Sequence, residues 1–118
     1  MSRNERGSAT VLVAVFCAVL LVVTLLGVAL AGLVTARRRV ASAADLAALA
    51  GAGAVQQGRP ACGPAGIVAV ANGARLVACT TIGEVVSVLV VADYAAAFGW
   101  TLHPTARARA GPDRGVVP

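Results

Sequence analysis

Acid–base or nucleophilic catalysis needs acids, bases and nucleophiles held close together. The only histidine here is His103, beside Pro104 in a loop-like stretch, and it reads as a lone surface residue. The carboxylates Glu5, Asp45, Glu84, Asp93 and Asp113 are scattered with no paired spacing. A metal cluster would need several Cys, His or carboxylate groups side by side, and Cys62 and Cys79 have no CxxC partner. Gly51-Ala52-Gly53 follows no strand and lacks the Lys-Ser/Thr of a phosphate-binding loop. The expectation is a protein that is not an enzyme, with no catalytic residue, no metal, no cofactor and no small-molecule substrate.

Composition points elsewhere. Of 118 residues, 58% are hydrophobic and 13% charged, against about 45–50% and about 25% in ordinary globular chains. That departure is toward a membrane protein. Aromatics are 3%, so a core must be built from Ala, Val and Leu. The net charge of +5 raises the question of nucleic acid. Its distribution argues against one: Arg3 and Arg6, Arg37–Arg39, and Arg107, Arg109 and Arg114 form separate groups with no aromatic ladder for stacking bases.

From Gly7 to Ala36 no residue carries a charge. About 20 apolar residues suffice to cross roughly 30 Å of hydrocarbon, and backbone satisfaction in lipid forces such a run into helix. A cleaved signal peptide is the rival reading. Arg3 and Arg6 would be its basic region, and Ala29-Leu30-Ala31 fits an A-x-A site. Such apolar regions normally run about 7–15 residues, and this one is longer and continues through Leu33 and Val34. Within the run, Ala14 and Ala18 are four apart, as are Gly27 and Ala31. Small residues at this spacing let helix backbones approach closely in lipid, or arise by chance in an Ala-rich chain. Cys17, inside the run, reads as a small hydrophobe.

The arginines leave orientation weakly biased toward a cytoplasmic C-terminal part. The cysteines argue the other way. Cys62 and Cys79 enclose sixteen residues in a small, poorly cored region. This suggests a disulfide outside the cytoplasm, worth about 3 kcal/mol, with two free buried thiols as the alternative.

Beyond Arg37–Arg39 the segment to Ala50 is strongly helical by propensity. Val40, Ala43, Ala47 and Ala50 share a stripe, with Leu46 and Leu49 beside it. One helix is therefore expected from about Ser8 to Val55, ended by Gln56-Gln57-Gly58-Arg59-Pro60. Asp45, on this helix, reads either as a solvated residue pairing with a nearby arginine or as a contact to a partner subunit. A short helix is expected over 64–74, strands over 76–81 and 84–92, a looser link over 93–100, and a strand over 105–110, where Ala and Arg alternate. The fold class is α+β: a long transmembrane helix extended as a stalk, then a small helix and antiparallel strands. The division expected is a basic cytoplasmic leader (1–7), a transmembrane helix (8–36), a helical stalk (37–57), a small extracytoplasmic α+β domain (58–110) and a disordered tail (111–118).

Three stretches resemble a known family: Arg6-Gly7-Ser8-Ala9-Thr10-Val11 entering the apolar run, residues 36–50 with Arg37-Arg38-Arg39 and Ala43-Ala44-Asp45-Leu46, and Val70-Ala71-Asn72-Gly73-Ala74 to Cys79 with Ala108-Arg109-Ala110-Gly111-Pro112. Together they are similar to the actinobacterial TadE/TadG-like small membrane proteins of Flp (Tad) pilus and related secretion loci. The resemblance implies a pseudopilin-like part in the cell membrane, N-terminus inside and small domain outside, with lipid and other pilus or secretion membrane proteins as partners. It also implies cleavage by a prepilin peptidase between Gly7 and Ser8. Pilin-type proteins typically carry a glutamate five residues after the cut. That position holds Leu12, a departure that bears on both processing and polymerisation. The alternative function is a small secreted binding module released by cleavage near Ala31.

Overall fold

The computed structural model describes residues 3–96 and 99–112, with side chains in the first helix described from Gly7 onward. The arginine at 114, the acid at 113 and most of the expected tail lie outside the described residues. The elements in chain order are α1 (Arg3–Gln56), α2 (Cys62–Ala71), β1 (Arg75–Ile82), β2 (Val85–Val91), β3 (Tyr94–Ala95), β4 (Thr101–Leu102) and β5 (Thr105–Ala110). The chain divides into two units, Met1–Leu33 and Val34–Pro118.

Among the described residues the first unit is helix alone. α1 starts at Arg3 rather than near Ser8. No proline or turn-forming pair between these positions interrupts it, so the helix takes in residues 3–7. From Val11 to Leu30 every large apolar side chain is 50–70% exposed. The Thr24 hydroxyl donates to the Leu20 carbonyl at 2.8 Å, satisfying the polar atom within its own helix.

In the second unit α1 carries the core. Val40, Ala43, Ala44, Ala47, Ala48 and Ala52 are buried, a stripe at i, i+3, i+4, i+7, i+8 and i+12. Ala50 is half-buried and Leu46 and Leu49 are exposed. The residues expected as a helical stalk are helical, and one face of them is covered, since small side chains there admit close approach of the sheet. Gly51 marks the tightest point: a Cβ on it would stand 3.0 Å from Val86 Cγ1 and 3.3 Å from the Ala61 carbonyl oxygen.

Both helices end in the same way. Gly58, at φ 74°, follows α1. Its N–H donates to Val55 O at 3.0 Å and that of Arg59 to Ala54 O at 2.8 Å. Gly73, at φ 78°, follows α2, with Gly73 N–H on Val70 O and Ala74 N–H on Ala69 O. This is the glycine-terminated cap that satisfies the last carbonyls. α2 starts two residues earlier than expected, at Cys62, and stops at Ala71, where Asn72-Gly73 turns the chain.

The main sheet has the order β1-β2-β5, antiparallel throughout. Gly83, at φ 62°, opens the two-residue turn from Ile82 to Val85. Val86, Val88 and Val90 of the central strand are buried, and Ala106, Ala108 and Ala110 of β5 pack beside them against the α1 and α2 alanines. The register sets Val86 opposite Ala110, Val88 opposite Ala108 and Val90 opposite Ala106. Cys62 at the start of α2 is bonded to Cys79 of β1, with Cα atoms 5.8 Å apart. Within the expected link, β3 and β4 pair through Tyr94–Leu102 and Ala95–Thr101.

Candidate functional surfaces

Alternation along the strands divides the arginines from the core. In β5 the alanines turn inward, so Arg107 and Arg109 stand exposed on the opposite face. Arg109 pairs in register with Ser87, and its Nε donates to the Ser87 hydroxyl at 3.3 Å. Ser87, Val88, Arg107, Ala108 and Arg109 line a shallow hollow of about 280 Å³. Neither arginine has a carboxylate partner among the described residues.

A second cluster forms where β1, β2 and β4 end. Pairing of Arg75 with Val91 brings Arg75 toward Asp93, and its Nη2 reaches Oδ1 at 3.3 Å. His103 Nδ1 meets the same oxygen at 2.8 Å. The hydrogen bond from His103, followed by the Arg75 charge, holds the Asp93 carboxyl below its ordinary value. All three side chains are more than half exposed. The histidine read from sequence as isolated is therefore one end of an Arg–Asp–His surface cluster. Sequence spacing alone concealed it, since the three residues are 18 and 10 positions apart. No hydroxyl or thiol is hydrogen-bonded to His103 among the described residues.

The remaining candidates lie on α1. Ala14, Ala18, Gly27 and Ala31 are exposed, and a Cβ on Gly27 would meet nothing within 4 Å. Arg37, Arg38 and Arg39 are exposed where the apolar run stops. Asp45 is exposed and forms no ion pair among the described residues. Gly7 and Ser8 are helical and open to solvent, and Leu12 is 70% exposed. α1 is long and apolar enough to cross a membrane.

Residues 7–54 match the model of a family described as putative Flp pilus-assembly TadE/G-like. The matched segment begins at the first residue of the uncharged run and ends three residues short of the Gln57-Gly58 turn, leaving out α2 and both sheets. No curated protein and no solved structure matches the chain.

Proposed function

We propose that the chain is a single-pass membrane protein that serves as a structural, pseudopilin-like component of a Flp/Tad-type pilus assembly or secretion machine. The family match to residues 7–54 carries the reading, because it falls on α1 and takes in both its apolar run and its buried alanine stripe. The role is non-catalytic: α1 anchors, and the second unit contacts neighbouring components. Orientation with the second unit outside the cytoplasm is supported by the Cys62–Cys79 bond, which persists in oxidising compartments.

One observation favours the alternative of a released module. The second unit begins at Val34, just after the A-x-A site that ends at Ala31, so cleavage there would free all of it. The mature N-terminus separates the readings. Intact-mass measurement on protein from the membranes and the culture medium of the native host gives Ser8 for pilin-type processing, Met1 for an uncut anchor and Gly32 for a secreted module. Copurification with pilus or secretion proteins after gentle solubilisation supports the assembly role. A chain that purifies alone, and whose deletion leaves pili and secretion intact, refutes it.

A further inference from the structure

We propose that the free edge of β5 docks an extended segment of a partner protein that carries Asp or Glu at alternate positions. Among the described residues β5 is the outermost strand of its sheet, paired on one side only, with β2. In an antiparallel ladder alternate residues bond to either side, so about half of its N–H and C=O groups point away from β2. An added strand would satisfy them, the mode by which extended peptides join sheet edges.

Side chains on that edge specify what the added strand must carry. Arg107 and Arg109 occupy one face, two residues apart, and are exposed without a carboxylate partner among the described residues. A neighbouring strand places its same-face residues about 5 Å away, also at a spacing of two. Acidic groups at positions i and i+2 of that strand would therefore meet both guanidinium groups at once. Arg109 leans across to β2, its Nε on the Ser87 hydroxyl at 3.3 Å, and would turn from that contact to meet the added strand.

A second copy of this chain does not fit. No two carboxylates in the sequence stand two residues apart. Pairing β5 with β5 would instead bring arginines against arginines, which is unfavourable. The opposite edge, β1, is a poorer platform: its register shifts between Leu76 and Ala78, a bulge that interrupts pairing. The inference stands independently of the membrane reading, since it uses only the second unit.

The test uses the full chain in detergent micelles and a labelled synthetic peptide that alternates Glu and Thr. A control peptide of equal composition groups its glutamates together. The alternating peptide is expected to bind in a salt-sensitive manner and to slow amide exchange within residues 105–110. The double variant Arg107→Glu/Arg109→Glu, checked for an intact disulfide and protected β2 amides, should bind it at least about tenfold more weakly. That variant should gain binding to a peptide alternating Lys and Thr. Equal binding of the two glutamate peptides, undiminished binding by the variant, or protection elsewhere in the chain would overturn the proposal. So would absence of binding by the wild type, which would leave the arginines as guards against edge-to-edge aggregation.

Discussion

Replacing Gly51 with alanine tests how closely α1 lies on the sheet. Removing a mid-helix glycine ordinarily stabilises by about 1 kcal/mol. Here the added carbon would stand 3.0 Å from Val86 Cγ1, where carbon pairs are most favourable at about 3.5–4.0 Å. Val86 is fully buried and β-branched, and the Ala61 carbonyl on the other side accepts the Ala65 N–H at 3.1 Å. Neither neighbour moves freely, and overpacking of this kind costs about 1–3 kcal/mol. Gly51→Ala is therefore expected to destabilise the second unit by about 1 kcal/mol. Gly53, two residues on, supplies the control: a Cβ there meets nothing within 4 Å, so Gly53→Ala should stabilise by up to about 1 kcal/mol. The decisive arm is Val86→Ala, which costs about 2 kcal/mol alone but removes the obstructing methyl. In that background only the Ala61 contacts remain, so Gly51→Ala should cost less than in the wild type. Native-state amide exchange of β2 in the full chain reads all five proteins. Additive effects of Gly51→Ala and Val86→Ala, or stabilisation by Gly51→Ala in the wild type, would refute the close-contact reasoning.

Further outcomes follow from other parts of the structure. Reducing the Cys62–Cys79 bond, whose ends are 17 positions apart, should cost about 3 kcal/mol, seen as lost protection of β1 and β2 amides. The Asp93 carboxyl should titrate below its ordinary value in an NMR pH series, and His103→Ala should raise it. Because its folded pKa is depressed, its stabilising contribution is complete above the ordinary carboxylate range and is lost as pH falls through the depressed value. Leu20→Arg, at the middle of the apolar run, should disfavour membrane insertion by about 3 kcal/mol, measured as the fraction of chain resisting alkaline extraction.

Much of this architecture is legible in the sequence because its elements are strongly patterned. The alternation Thr-Ala-Arg-Ala-Arg-Ala gave a strand over 105–110, the span that β5 occupies. β-branched residues marked β2, and the Gly58 and Asn72-Gly73 breaks marked both helix ends within a few residues. What escaped depends on tertiary placement. The β3–β4 pair is two residues long on each side and held partly by Ala96 N–H on Trp100 O, too short for any periodicity to show. The Asp93 cluster exists only because strand register brings Arg75 beside the end of β2. The stripe on α1 was visible, but its burial was not. Ala43, Ala44, Ala47 and Ala48 would look the same on a helix projecting into water, and only the sheet packed on them makes them core.

The strand order also sets a dependence in folding. β2 is joined to β1 by a two-residue turn, whereas thirteen residues separate it from β5, its neighbour on the other side. The first ladder closes locally and the second must close a longer loop. Until residues 105–110 dock, Val86, Val88 and Val90 lack the alanines that flank them in the folded sheet. A variant whose β5 cannot pair is expected to aggregate through β2 on refolding, read by light scattering.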